Sequence, residues 1–129
     1  MKTSSLAALA LAGTALSAGS AAPPAPGPIV RLAELEIDPA AVEAYTALLR
    51  EEIETSVATE PGVLMLYAVA IKGAPNRIRL TEVYADQAAY VAHINAPHFR
   101  KYKEGTAKMV RSLTLHETDP ILLRAKPMP

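Results

Sequence analysis

The sequence predicts an α+β, ferredoxin-like domain in β-α-β-β-α-β order, with an antiparallel sheet and helices on one face. Three observations carry this. An alternating stretch, Ile29 to Ile37, runs straight into Asp38-Pro39 and an apolar stripe at helical spacing. Two strand-like stretches follow in succession around Lys72-Gly73-Ala74-Pro75-Asn76. A second helical region and a last alternating stretch then close the order.

In the first strand, Val30, Leu32, Glu34 and Glu36 share one face, and Arg31, Ala33, Leu35 and Ile37 share the other. Which of the two is buried is open at this stage. Asp38 then serves as N-cap, with Pro39 at the first helical position. Val42, Tyr45, Leu49, Ile53 and Val57 recur every three or four residues and form one buried stripe. Glu43, Arg50, Glu51, Glu52 and Glu54 read as the solvated face. Pro61-Gly62 ends the helix. Val63 to Ile71 is an almost unbroken apolar run, which predicts a strand covered on both faces. Lys72 to Asn76 reads as a hairpin connection, and Arg77 to Tyr84 as the next strand. Ile78, Leu80, Glu82 and Tyr84 share a face of it. Asp86 caps a helix that ends near Asn95, ahead of Pro97. His98 to Met109 reads as a further helical segment, with Phe99, Tyr102, Thr106 and Met109 in register. Leu113, Leu115 and Glu117 alternate in the last strand, which Asp119-Pro120 breaks. Helices cover one side of such a sheet; a second copy of the sheet would cover the other, so the sequence predicts a homodimer.

Composition narrows the function. The chain has 129 residues, 13 basic and 13 acidic, for a formal net charge of zero. No basic excess points to nucleic acid or to a membrane surface. Cysteine is absent, which excludes disulfides, thiolate metal sites and cysteine nucleophiles. Lys2, the apolar run Leu6–Leu16 and the small residues Ala18 to Ala22 form a signal-peptide pattern, and the run is too short to span a bilayer. The predicted organisation is a signal peptide over 1–21, a Pro-rich spacer over 22–28, one domain over 29–118 and a tail over 119–129. After cleavage no membrane association is expected, and the protein is placed outside the cytoplasm, in the periplasm or secreted.

Glu60-Pro61-Gly62, Tyr67 in its strand, Pro75-Asn76-Arg77, Glu82-Val83-Tyr84-Ala85-Asp86, His93 and Pro97-His98-Phe99 occur in that order. In this combination the chain resembles the antibiotic biosynthesis monooxygenase domain, over about ninety residues, an ordinary single-domain size. The resemblance implies a dimeric α+β barrel of ferredoxin-like subunits, each with a pocket between sheet and helices. It implies oxidation of a quinol or polyphenol by molecular oxygen, with no metal or flavin cofactor. The wider group includes haem-degrading enzymes and an isomerase of the phosphorylated autoinducer-2 sugar, which this chain also resembles from Glu82 to Phe99. Many relatives carry Trp where this chain has Tyr84, and this chain has no Trp. The haem-degrading branch uses a Trp near the position of His93, which argues against that chemistry here.

The candidate catalytic residues are His93, Glu82 and His98. A near-neutral histidine such as His93 can take a phenolic or enolic proton; otherwise it is a core histidine bonded to a backbone carbonyl. Glu82, beside Ile78 and Leu80, needs a partner if buried, and His93 is the expected one; a structural ion pair is the other reading. His98 could act with them or simply open its helix. Tyr67, Tyr84, Met65 and Phe99 are the candidate substrate-binding residues, though aromatics most often fill cores. His93 and His98 lie five apart across a proline, unlike the i, i+4 pair of a helical zinc site, so no metal is expected. His116 in the last strand is expected to be exposed and is assigned no role. Three functions stay open: oxygenation of a quinol-like molecule, keto–enol isomerisation of a small dicarbonyl compound, or ligand binding without catalysis. The leader makes a direct prediction: N-terminal sequencing of exported protein should find a mature chain starting between Ala18 and Ala22, and a chain still starting at Met1 would refute it.

Overall fold

The computed structural model describes residues 27–129, so the expected signal peptide and most of the spacer lie outside the described residues. Four strands form one antiparallel sheet in the order β2-β3-β1-β4. They are β1 (Ile29–Ile37), β2 (Val63–Ile71), β3 (Ala74–Tyr84) and β4 (Val110–Glu117). A 3-10 turn (Pro39–Ala41) leads into α1 (Val42–Thr59), and α2 (Gln87–Ile94) and α3 (Pro97–Thr106) join β3 to β4. This is the ferredoxin-like arrangement predicted from the sequence.

Local chemistry sets the boundaries. The Asp38 carboxylate accepts from the Ala40 amide at 3.0 Å and starts the first helical turn. Asp86 does the same for α2, accepting from Ala89 N at 2.8 Å. Pro97 occupies the first position of α3, where no backbone donor is needed. It ends α2 and turns the chain, so His98 and Phe99 enter on a new axis. At Gly62 an added Cβ would collide with the Cβ of Ala89. A glycine there lets the start of β2 lie against α2.

The open question in β1 resolves clearly. Ala33, Leu35 and Ile37 are buried, and Glu34 and Glu36 are exposed. Leu35 pairs across to Ile78 on one side and to Leu113 on the other. Ala33, Leu35, Ile37 and Ile78, together with Tyr45, Leu49 and Tyr102, make the core between sheet and helices. The Tyr45 and Tyr102 hydroxyls meet at 2.5 Å inside it.

Three expectations need correction. The hairpin between β2 and β3 is tighter than expected: Lys72-Gly73 makes the turn, with Gly73 at φ +84°, and β3 begins at Ala74. Pro75 is tolerated there because the β2–β3 register breaks between Ala70 and Ile71. Strand β2 is an edge strand, and within one chain neither of its faces is covered beyond Leu66. Its apolar run therefore reports what the outer face lacks within one chain, not two-sided burial. The helical stripe is also rotated: Tyr45, Leu49, Glu52 and Ser56 are buried, and Val57 is half exposed at 49%.

Candidate active site

Between the sheet and the helices lies a cavity of about 330 Å³. Arg31 and Leu35 of β1, Glu82 and Tyr84 of β3, Glu52 of α1, and His93 of α2 are among its walls. Tyr67 and Phe99 also line it. The topology explains the convergence. A short turn at Ala85-Asp86 folds α2 back over β3, so His93 lies above the strand face that carries Glu82 and Tyr84.

The candidates separate once placed. Glu82, His93, Tyr67, Tyr84 and Phe99 border the one cavity, while Met65 and His98 do not line it. Met65 pairs with Val83, on the sheet face opposite to Glu82. Tyr67 pairs with Thr81 and reaches the cavity from the sheet edge, 44% exposed. His116 is exposed, in contact with Glu34 at 3.1 Å.

Among the described residues no hydrogen bond joins Glu82 to His93, and this corrects the expected pair. The Glu82 Oε1 atom accepts instead from the Tyr84 hydroxyl at 2.7 Å. Burial raises the Glu82 pKa, and the Tyr84 hydrogen bond and the nearby Arg31 and His93 charges only partly oppose it. Arg31 is the direct cross-strand partner of Glu82 in the β1–β3 register. Its guanidinium lies 4.6 Å from the Tyr90 ring centre and 3.5 Å from Glu117. Burial also raises the Tyr84 pKa, and the adjacent Glu82 charge adds to it.

His93 is held elsewhere. Its Nδ1 lies 2.9 Å from Glu60 Oε2 and its Nε2 lies 3.2 Å from Glu52 Oε1. Glu52 Oε1 also accepts from Ser56 Oγ at 2.8 Å, and Glu60 Oε2 faces His98 Nε2 at 2.6 Å. The Tyr84 and Phe99 rings close on His93, with centres 5.2 Å and 5.0 Å away, and it is 2% exposed. Two carboxylates facing the two ring nitrogens favour a proton on both, the imidazolium form. Burial alone would lower the His93 pKa, but the hydrogen bonds to Glu52 and Glu60 outweigh it and hold the pKa above its ordinary value. For Glu60 burial pushes the pKa up, while the bonds from His93 and His98 bring it below its ordinary value.

Glu60, His93 and His98 offer three possible ligand atoms within 4.8 Å of one another. Donor atoms sharing a divalent ion at about 2.0–2.1 Å in a tetrahedral site stand about 3.3 Å apart. The 2.6 Å and 2.9 Å contacts here converge on a single carboxylate oxygen, which is hydrogen-bond geometry.

Sequence reasoning missed Arg31, Glu52 and Glu60 as members of the site. Arg31 stands on the apolar face of β1, and that alone would have marked it. Glu52 continues the spacing Tyr45–Leu49–Glu52–Ser56 better than Ile53 does.

Comparison with known proteins agrees with this architecture. The family model for antibiotic biosynthesis monooxygenase matches residues 28–105. A solved structure from Bacteroides thetaiotaomicron VPI-5482, provisionally named an antibiotic biosynthesis monooxygenase, is 52% identical, with a TM-score of 0.75 over 78% of this chain and 97% of that one. A provisionally named monooxygenase from Lactobacillus acidophilus NCFM is 31% identical, with a TM-score of 0.70 over 72% of this chain and 44% of that one. A third, from Caulobacter crescentus CB15, shares the fold at 19% identity, with a TM-score of 0.71 over 75% of this chain and 92% of that one. No curated protein gives a significant match.

The two shifts fix a pH window. The raised His93 pKa stabilises the fold below its ordinary value of 6.5, and that contribution is lost as pH rises through the folded value. The lowered Glu60 pKa stabilises above its ordinary value of 4.5, and that contribution is lost as pH falls through the folded value. The network therefore contributes most between pH 4.5 and 6.5. Melting temperature measured against pH should fall more steeply above that window in the native protein than in His93→Gln; equal alkaline slopes would refute the assignment.

Proposed function

Because the chain belongs to the antibiotic biosynthesis monooxygenase family, we propose that it is an exported, homodimeric enzyme that oxidises a phenolic or quinol-like small molecule with molecular oxygen. The observation that carries this reading is the half-buried carboxylate of Glu82 facing a cavity of about 330 Å³, opposite the Arg31 cation. That volume suits a ligand of one or two rings.

The geometry favours Glu82 over His93 as the base. Both His93 nitrogens are engaged by carboxylates, so no lone pair is free for a substrate. Glu82 has one oxygen bonded by Tyr84 and the other without a hydrogen-bond partner among the described residues, and its burial favours taking up a proton. Arg31 then stabilises the phenolate that remains. A phenolate pushes electron density onto its ortho and para carbons, and one of these that bears hydrogen adds oxygen by single-electron transfer and recombination. Protonation gives a hydroperoxide at that carbon. Loss of the carbon-bound proton and cleavage of the O–O bond leave a quinone and water. One oxygen atom enters the product and the other leaves as water. The four electrons that oxygen accepts all come from the substrate.

Export rests on the leader pattern, and dimerisation on the outer face of the sheet. Leu32, Tyr67, Val69 and Ile71 are between 39% and 60% exposed there in a single chain. Such a patch is covered most simply by its own symmetric copy.

Two predictions follow from this reading. With a panel of reduced naphthoquinols and polyphenols, the protein should consume oxygen and place one labelled atom from ¹⁸O₂ in the product. Glu82→Gln should lower kcat by about 100-fold or more, with little change in melting temperature. Proton exchange on a dicarbonyl substrate without oxygen uptake would point to the isomerase instead; binding with neither would point to a ligand-binding module. For assembly, Val69→Lys should shift the protein to monomers or aggregates in light scattering, and an unmodified protein that is a stable monomer at micromolar concentration would refute the dimer.

A further inference from the structure

We propose that Glu52, His93, Glu60 and His98 form a relay that couples protonation inside the cavity to the protein surface. The four groups alternate carboxylate, imidazole, carboxylate, imidazole, joined by contacts of 3.2, 2.9 and 2.6 Å. They come from the body of α1, from α2, from the residue capping α1 and from the first turn of α3. Only the inner two, Glu52 and His93, line the cavity. Side-chain exposure is 6% and 2% for these two and 15% and 18% for Glu60 and His98, so the outer pair lies nearer the surface. A histidine kept only for packing needs one partner. This one has an anion on each ring nitrogen, one facing inward and one toward the surface.

The relay works by charge compensation. When a group in the cavity gives a proton to the Glu52 carboxylate, His93 faces one anion fewer. It then passes its Nδ1 proton to Glu60 Oε2, and Glu60 passes a proton to water. One proton enters, one leaves, and the charge of the row is unchanged. In reverse, Glu52 returns its proton to the cavity and His93 refills from the surface through Glu60. His98 is a positioning residue: its N–H on the same Glu60 oxygen keeps that carboxyl acidic, so the proton does not stay there. The hydrogen bonds that outweigh burial and lower the Glu60 pKa agree with this role. Around His93 the other facing groups are the Tyr84 and Phe99 rings, with Ser56 bonded to Glu52 and Glu82 across the cavity.

The use of the relay rests on the oxygenation reading; its existence does not. That reaction removes two protons from the substrate, from oxygen and from carbon, and delivers two to the oxygen atoms. Glu82 holds only one at a time. A second, solvent-coupled group lets the cavity lend and recover a proton while it is occupied.

The test is proton exchange at a buried ring, read by NMR. In the unmodified protein the His93 Nδ1 proton should exchange with water far faster than the backbone amides of Ala33 and Leu35, which lie in the same core. In Glu60→Gln, which keeps the hydrogen-bond acceptor but cannot carry a proton, the exchange should slow by about tenfold or more, toward the rate of structural opening. If this variant does not fold, Glu60→Asp serves instead: its exchange should be slowed and then restored by added formate. An Nδ1 proton as slow as the core amides, an exchange rate unchanged in Glu60→Gln, or a Glu60→Asp rate insensitive to formate would each overturn the relay. If exchange depends on Glu60 but no quinol is oxidised, the relay stands and the substrate reading falls.

Discussion

The structure depends on how one buried cation is held. His93 is 2% exposed, and an ion at that depth is tolerated only with charged partners in good geometry. Glu52, in the body of α1, and Glu60, the residue that caps it about two turns further on, supply them from either side of the ring. This fixes how α2 rotates against α1, and the bond from His98 to the same Glu60 oxygen fixes where α3 begins. The sheet supplies the floor, and the ion cluster sets the placement of the helices above it.

That placement also sorts the acids of the site by environment. Glu60 sits among N–H donors and is a stronger acid than an ordinary glutamate. Glu82 has one hydroxyl donor and apolar neighbours, and holds its proton more tightly. Two carboxylates near one cavity, pushed in opposite directions, can take different parts in one proton transfer sequence. Arg31 completes the arrangement from across the strand pair, its charge left partly free because the contact to Glu117 is long at 3.5 Å.

Much of this was legible in the chain itself. Asp38-Pro39, Pro61-Gly62, Asp86 and Pro97 punctuate the elements because each acts on its own local backbone. The pocket residues on β3 were legible too, since alternation alone puts Glu82 and Tyr84 on one face. The partner of His93 was not. Helix rotation decides it, and a shift of one position along α1 separates Glu52, which is buried, from Ile53, which is only partly so. For β2, an apolar run shows that burial is needed but not what provides it, and beyond Leu66 nothing within one chain does.

The separations spanned by the ion cluster have a consequence for how the chain folds. Glu60 meets His93 across 33 residues and His98 across 38. Contacts of that range form only after the intervening hairpin has closed, since loop closure must precede the gain they bring. A partly folded chain can therefore hold its helices and the β2–β3 hairpin and still lack the charged row. The charged row is thus assembled late in folding, in whatever compartment the chain finishes it.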